Sequence, residues 1–304
     1  MSATSNMLVV GSVARDTIHN PAGTHDHVLG GSAVFAALAG ARFVTPRLVG
    51  VVGTDFPDAE IAMLKSNGID VTGLEVVEGD TFHWEGRYSP DLTSRESLKT
   101  ELNVFADFHP KIPEAFRDTP YVMLGNIHPD LQIEVLDQMR EPKLVIADTM
   151  NFWIEGTPGP LAKMLERIDV LVINEEEARQ LAGTYNIVQV AEKLLQMGPR
   201  VAVIKRGEYG ALLFEGDEVF SAPAYPVHRV QDPTGAGDSF AGGMLGYLAQ
   251  KDSIDHTTMR SAIIYGSACA SYCVEGISVE KLATVNRAQV DERYGAFANL
   301  ARFE

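Results

Sequence analysis

The sequence predicts an α/β fold in which a mostly parallel β-sheet is covered by helices on both faces. Short, continuously apolar runs rich in Val and Ile recur along the chain, as in strands that are buried on both faces. Helical stretches separate these runs, and such alternation is typical of a parallel sheet. Glycine and proline are spread evenly and no repeat occurs, so we predict one main domain, residues 1–304.

The predicted strands and helices alternate through most of the chain. The strand candidates are Met7–Val13, Leu48–Val52, Tyr121–Leu124, Leu144–Ala147, Val170–Ile173, Val201–Ile204 and Ala211–Phe214. The helix candidates are Ser32–Phe43, Ala59–Ser66, Leu131–Met139, Pro160–Arg167, Glu175–Ala182, Val188–Met197, Gly235–Gln250 and Thr257–Val274.

Two segments break this alternation and predict a small accessory sheet. Apolar and polar residues alternate from Thr81 to Tyr88 and from Leu98 to Val104, which predicts a hairpin with one dry face. Asp16–His19 and His25–Val28 flank a turn signal and predict a shorter hairpin. A sheet this small cannot bury both faces alone, so we expect a lid over a ligand, a dimer clasp or both. The lid segments are residues 14–29 and 80–108.

Composition narrows the function classes. The formal net charge of −16 argues against nucleic acid or an anionic membrane as the main partner. Two cysteines, Cys269 and Cys273, lie in an apolar stretch and are expected to be buried thiols. Met1–Asn6 carries no basic cluster, so we expect no signal peptide and a cytoplasmic location.

The densest chemical signal lies at the start of a predicted helix. Gly235, Ala236 and Gly237 fall where the first helical N–H groups lack partners within the helix, and these groups can hold an anion. Asp238 follows in the first turn, where we expect the helix N-terminus to keep it ionised at neutral pH. It could then accept a proton from a hydroxyl that attacks the bound anion.

Other interpretations of this segment were weighed. A glycine-rich helix cap without a catalytic role is the plain structural alternative. A P-loop is absent because the sequence contains no Gly-Lys dipeptide. A dinucleotide site is disfavoured because Phe240 stands where the third glycine of its fingerprint would be, which argues against a dehydrogenase.

Several motifs resemble one family. The run from Asp232, DPTGAGDSFAGG, closely resembles the C-terminal signature of the ribokinase-like (PfkB-type) carbohydrate kinases. Leu29–Ala33, which opens an Ala-rich helix, resembles their N-terminal signature, and the first strand followed by Asp16 is similar to theirs. Asn174–Glu177 and Lys205–Ala211 resemble their Asn-x-x-Glu motif and nucleotide loop, in the family's order. The resemblance implies a three-layer α/β/α fold with a mostly parallel central sheet and a small β lid.

The resemblance also implies an activity, with roles for individual residues. The chain would move the γ-phosphate of ATP to a hydroxyl of a small sugar or sugar-like acceptor, and its lid would often serve in a homodimer. Asp238 would be the general base, and residues 235–237 would form the anion hole. The acceptor would be held by Asp16, Gly30 and Gly31. Mg²⁺ and phosphate would be organised, largely through water, by Asn174 and Glu177. The nucleotide would be lined by Lys205, Gly207, Gly210 and Thr234. Asp232 and Thr234 match positions that help to bind a monovalent cation, such as K⁺, in some members.

Three further polar residues are candidates for the acceptor site. Arg87 lies on the polar face of the first lid strand, and Asn103 is predicted on the second. Asn151 follows a core strand together with Asp148, where sites of α/β proteins gather. For each, a solvated surface position or a turn role is the alternative.

The sequence departs from the family pattern at two positions that concern the acceptor and at one position in the nucleotide loop. Ala14 stands where the ribokinases proper have Asn, Ser32 opens a run where they have Lys-Gly-Ala-Asn, and Lys205 stands where the family usually has Thr. Ribose is therefore not favoured, and a nucleoside becomes an alternative, with Phe35, Phe82 or Trp84 available to stack on a base. A non-catalytic sugar or nucleoside sensor and a nucleotide hydrolase are further alternatives.

Overall fold

The computed structural model describes residues 6–302, so the segment on which the signal-peptide expectation rests lies outside it except for Asn6. The strands are β1 (Met7–Val10), β2 (Ala14–Asn20), β3 (Gly23–Gly30), β4 (Pro46–Gly53), β5 (Asp70–Val77), β6 (His83–Tyr88), β7 (Arg95–Glu101), β8 (Tyr121–Leu124), β9 (Leu144–Ala147), β10 (Val170–Asn174), β11 (Val201–Lys205), β12 (Ala211–Glu215) and β13 (Glu218–Ala222). The helices are α1 (Ser32–Gly40), α2 (Asp58–Ser66), α3 (Pro129–Gln138), α4 (Asn151–Gly156), α5 (Pro158–Leu165), α6 (Glu175–Ala182), α7 (Ile187–Gln196), α8 (Ala236–Lys251), α9 (His256–Cys273), α10 (Glu280–Thr284) and α11 (Arg287–Ala301).

The central sheet has nine strands in the order β13-β12-β11-β10-β9-β8-β1-β4-β5. The pairs from β11 to β5 are parallel, whereas β12 pairs antiparallel with both β11 and the edge strand β13. Successive residues of β1 pack into the two hydrophobic cores on opposite faces of the sheet. Met7 and Val9 belong to one core, and Leu8 and Val10 belong to the other. Burial on both faces is why this strand is apolar throughout. Helices cover both faces, so the predicted three-layer fold is confirmed.

Two helices of one layer, α1 and α8, approach each other closely, and this contact positions the residues of the candidate site. A Cβ atom on Gly242 of α8 would lie 2.1 Å from the carbonyl oxygen of Ala36 of α1, so only glycine allows this separation. At the N-terminal end of α8, a Cβ atom on Gly235 would lie 2.3 Å from the Phe35 ring. The close packing therefore places the starts of α1 and α8 side by side.

The second sheet has the order β3-β2-β6-β7 and stands against the first. We call it the lid sheet. It joins the two predicted hairpins, because β2 pairs with β6 in parallel. Two contacts tie it to the segment that precedes α8: the Asn20 side chain donates to the Gln231 carbonyl (3.1 Å), and the Tyr88 hydroxyl lies 2.9 Å from the Thr234 hydroxyl.

The structure corrects several boundaries. β1 ends at Val10 rather than Val13, and Asp16 lies on β2, which begins at Ala14, two residues before the predicted hairpin strand. β7 ends at Glu101, where Asn103 with φ +48° turns the chain into a short 3₁₀ helix. The sequence interpretation missed β5 and β13, which form the two edges of the central sheet and are only partly apolar, and it missed α4, α10 and α11. Within residues 6–302, every helix is too short or too polar to cross a membrane.

Candidate active site

A cleft of about 2590 Å³ opens where the carboxyl ends of the core strands meet the lid sheet. Residues that follow β1, β9, β10 and β11 line one side, and Phe82, Trp84 and Tyr88 of the lid line the other. Pockets for a single small ligand occupy up to ~1,000 Å³. The cleft therefore has room for two ligands side by side.

The floor of this cleft contains the N-terminus of α8. Gly235 caps the helix with φ +74°, a left-handed conformation that favours glycine. The amides of Gly235 and Gly237 have no hydrogen-bond partner within the described residues, whereas the Ala236 amide donates to the Pro233 carbonyl (3.2 Å). Two of the three predicted anion-hole amides are thus open to a ligand.

Asp238 lies in the first turn of α8 and lines the same cleft. Burial, followed by the negative charge of Asp148, raises its pKa to about 7, while Lys205 and Arg95 act in the opposite direction. The expectation that the helix N-terminus keeps Asp238 fully ionised at neutral pH is therefore wrong, because desolvation and Asp148 outweigh the helix. A carboxylate with a pKa near the working pH is well matched to proton transfer.

Asp16 is 5% exposed and faces the cleft from β2. Burial, followed by the charge of Asp232, raises its pKa to about 8. Its Oδ1 atom is buried and has no hydrogen-bond partner in the described part of the chain. A Cβ atom on Gly30 would lie 1.9 Å from Asp16 Oδ2, so Gly30 makes room for this carboxyl group. Gly31, with φ +97°, lines the cleft beside it.

Asn174 and Glu177 cap α6 reciprocally. The Asn174 side chain accepts from the Glu177 amide (2.8 Å), and the Glu177 carboxylate accepts from the Asn174 amide (3.3 Å). Both residues line the cleft. Burial, followed by the charge of Asp148, raises the pKa of Glu177 to about 7. The predicted phosphate motif therefore also has a structural role as a capping box.

Lys205 ends β11 and pairs with Asp148, which follows β9. Its Nζ atom lies 3.1 Å from Asp148 Oδ2, and both side chains are largely buried. Burial lowers the pKa of Lys205, but the carboxylates of Asp148, Glu177 and Asp238 outweigh it and raise the pKa. Gly207 and Gly210, both with positive φ, continue the cleft wall.

Asp232 holds the loop that precedes α8. The Asp232 side chain is buried, and its two oxygens accept from the amides of Thr234 (3.0 Å) and Ser278 (2.9 Å). Thr234 is also buried and lines the cleft beneath Tyr88. Both residues thus lie next to the anion hole, and both take part in hydrogen bonds that position its loop.

The lid residues differ most from the predictions. Asn151 lines the cleft as expected. Arg87 is exposed and does not line it. Asn103 donates to the Thr81 carbonyl (2.9 Å) outside the cleft, because the chain has already left β7. The lid arginine that lines the cleft is Arg95, which pairs with Tyr88 across the hairpin.

Arg95 was missed because it was assigned to the loop between the lid strands. Arg95 is an exposed residue of the cleft wall, and its positive charge acts on Asp16, Glu177 and Asp238. The pairing of β6 with β7 begins with Tyr88 opposite Arg95, and only this register shows that Arg95 belongs to a lid strand.

A carboxyl group beside an open helix N-terminus, in a cleft with room for two ligands, is the arrangement expected of a phosphotransferase. Comparison with known proteins agrees with this class. The model of the pfkB family carbohydrate kinases matches residues 132–283. A cytidine kinase from Thermococcus kodakarensis is 31% identical over 249 residues, covering 79% of this chain and 87% of that protein.

A nucleoside kinase from Methanothermobacter thermautotrophicus is 28% identical over 260 residues, covering 81% of this chain and 78% of that protein. The solved structure of Arabidopsis thaliana ribokinase, complexed with ribose and ATP, covers 96% of this chain and 99% of its own with a TM-score of 0.78 at 21% identity. The chain belongs to the pfkB family of carbohydrate kinases. The predicted class of activity, ATP-dependent phosphotransfer to a sugar or nucleoside, is confirmed.

Proposed function

We propose that this kinase phosphorylates a hydroxyl on the sugar part of a nucleoside, with ATP as donor and Asp238 as general base. The observation that carries the proposal is the position of Asp238 in the first turn of α8, on the cleft floor that also holds the open amides of Gly235 and Gly237. Such a carboxylate can take up the proton of an attacking hydroxyl while negative charge develops beside the amides.

A nucleoside is favoured over a free sugar by two features. Two of the similar proteins are a cytidine kinase and a nucleoside kinase. The lid residues Phe82 and Trp84 line the cleft and offer aromatic faces to a base, and stacking contributes ~1–3 kcal/mol per base. A small sugar or sugar-like acceptor is the alternative.

Transfer of the phosphoryl group depends on how the cleft positions the acceptor and ATP. Asp16, with its unpartnered buried Oδ1, binds acceptor hydroxyls, and Gly30 and Gly31 let the backbone approach them. A bond forms between the acceptor oxygen and the γ-phosphorus, and the bond from that phosphorus to the β–γ bridging oxygen breaks. The electron pair leaves with ADP, and the acceptor proton passes to Asp238. Phosphoryl transfer needs this placement and charge stabilisation more than covalent assistance.

The donor set fits Mg²⁺ delivered with the nucleotide. No group of three or more His, Cys, Asp or Glu residues within residues 6–302 is placed to hold a metal alone. Mg²⁺ is commonly bound through one or two carboxylates together with substrate phosphates, and Glu177 supplies a cleft carboxylate of this kind. The ion would neutralise phosphate charge, with Asn174 and Glu177 holding its waters.

We propose four further properties. Residues 1–304 act as one domain whose lid segments, 14–29 and 80–108, exclude water from the cleft. The lid sheet pairs with its copy in a homodimer. K⁺ binds beside Asp232 and Thr234 and supports the anion hole. The enzyme works in the cytoplasm. Sedimentation of the purified chain and activity assays with and without K⁺ test the second and third properties.

Replacement of the base tests the mechanism. Asp238→Asn should bind ATP but lower turnover by on the order of 10²–10⁴-fold, as expected for loss of a general base. Asp58→Asn, which removes an exposed first-turn acid of α2, is the matched control and should leave turnover unchanged. Near-normal turnover of Asp238→Asn would exclude Asp238 as the base.

An ADP-release screen tests the acceptor class. Cytidine, adenosine, inosine, ribose and fructose are compared with the wild-type chain. Stacking predicts that the best nucleoside has kcat/KM ~5–150-fold above that of the best free sugar. A higher value for a free sugar would favour the alternative. ATP binding without turnover of any acceptor would favour a sensor.

A further inference from the structure

Lys205 carries a positive charge at a largely buried position beside a helix N-terminus, which is unusual. It is the last residue of β11, and its side chain is only 16% exposed. A Cβ atom on Gly237 would lie 2.8 Å from Lys205 Nζ, so the ammonium group lies directly against the first turn of α8. The N-terminus of a helix carries partial positive charge and repels a cation. The ammonium group at this place therefore requires anions around it.

The carboxylates around Lys205 come from three elements. Asp148 after β9 is in direct contact, and Glu177 of α6 and Asp238 of α8 act on it through space. When ionised, these three carboxylates exceed the single ammonium by two charges and would repel the γ-phosphate of ATP. Arg95 acts on Glu177 and Asp238 from the exposed side of the lid, whereas Lys205 is largely buried among the three carboxylates and lies against the first turn of α8.

We propose that Lys205 binds the transferring phosphoryl group, exchanging its contact with Asp148 for a phosphoryl oxygen when ATP occupies the cleft. This inference rests on the proposed function. Lys205 keeps its protons throughout and donates an N–H to an equatorial oxygen, while the acceptor proton passes to Asp238 as described above. Lys205 is thus a catalytic residue of the phosphoryl centre rather than part of the general lining of the nucleotide site.

Asp148 is the positioning residue in this arrangement. It is 7% exposed, its Oδ1 accepts from the Thr149 amide (2.9 Å), and its Oδ2 holds Lys205 Nζ. The amide fixes the carboxylate in one orientation, so the ammonium group is kept beside Gly237 before ATP arrives. Preorganisation of this kind avoids reorganisation at the moment of reaction.

Calorimetric titration distinguishes this role from a general contact with the nucleotide. The affinities of wild type and Lys205→Met are measured for Mg·ADP and for the non-hydrolysable analogue Mg·AMP-PNP. Lys205→Met should weaken AMP-PNP binding at least tenfold more than ADP binding, and turnover should fall by on the order of 10²–10³-fold. An equal loss for both nucleotides, or none, would overturn the proposal.

Two variants control for folding. Lys193→Met removes an exposed lysine that donates to the Ala182 carbonyl outside the cleft, and it should change neither affinity. Lys205→Met combined with Asp148→Asn also removes the carboxylate that Lys205 contacts directly, and it should show the same selective loss as Lys205→Met alone. A double variant that regains AMP-PNP affinity would show that the unpaired Asp148, and not the missing ammonium group, caused the loss.

Chemical rescue provides a direct readout of the charge. Lys205→Cys alkylated with 2-bromoethylamine regains an ammonium group at nearly the original length. Burial raises the pKa of Cys269 and Cys273 to about 12, so alkylation is selective for the introduced thiol. Alkylation should raise the turnover of the Lys205→Cys variant at least tenfold, and an unchanged turnover after alkylation would contradict the proposal. If the Asp238→Asn variant were inactive and the Lys205→Met variant fully active, this inference alone would be refuted. If the Asp238→Asn variant were fully active, the proposed function would be refuted.

Discussion

Gly235 is the backbone position on which the anion hole depends most, and Gly235→Ala tests this. Its φ of +74° costs an alanine ~1–2 kcal/mol. The new Cβ would also lie 2.3 Å from the Phe35 ring, a clash of the kind that adds ~1–3 kcal/mol in a packed core. We expect a total destabilisation of ~2–5 kcal/mol. Displacement of the neighbouring amides should lower kcat on the order of 10²-fold.

Gly216→Ala separates the two contributions. Gly216 has φ +56°, and no atom lies within 4 Å of the Cβ position, so this variant carries the backbone cost without the clash. Urea unfolding should give a loss of ~1–2 kcal/mol for Gly216→Ala, with unchanged kcat. Addition of Phe35→Leu to Gly235→Ala should recover part of the difference. If Gly235→Ala cost no more than Gly216→Ala, the inferred contact with Phe35 would be wrong.

Three other predictions concern charge. Because burial and Asp148 raise the pKa of Asp238 to about 7, kcat/KM should rise about tenfold per pH unit up to that value; a flat profile from pH 5.5 to 8.5 would contradict this. The pKa of Asp16 is raised from 3.8 to about 8, so the folded state binds this proton more tightly than the unfolded state, and stability is lost as pH rises between these values at up to ~1.4 kcal/mol per unit. The stability of Asp16→Asn relative to wild type, from urea midpoints at pH 5, 7 and 9, should therefore increase with pH, and a constant difference would refute the assignment. Arg95→Ala should lower kcat/KM by ~10-fold or more, and Arg87→Ala by less than twofold; equal effects in the ADP-release assay would show that the lid face is wrongly assigned.

Much of the fold could be predicted because its signals are local. Burial on both faces makes the central strands continuously apolar, so β8 and β9 were predicted with their observed bounds. The capping pair of Asn174 and Glu177 marks the start of α6 in the sequence. The edge strands β5 and β13 have exposed residues and mixed polarity, and they were missed for that reason.

The candidate site was only partly predictable, since its chemistry depends on groups that are distant in sequence. The motif from Asp232 to Asp238 predicts the helix N-terminus and the proposed base, Asp238, from local sequence alone. The ionisation of Asp238 depends on Asp148 and on burial, which the segment itself does not contain. Which lid arginine lines the cleft depends on the register of the lid hairpin, and alternation of residue types does not determine register.

The sequence by itself determined the layered α/β fold, the position of helix α8, at whose start the anion hole is proposed, and the class of reaction, because each follows from local patterns or contiguous motifs. The tertiary structure decided which charges meet. It brought Lys205 and Asp148 to the start of α8, placed Arg95 rather than Arg87 over the cleft, and raised the pKa of Asp238. Electrostatic interaction and desolvation depend on distance in space, so these properties arise only when separate strands and helices are packed together.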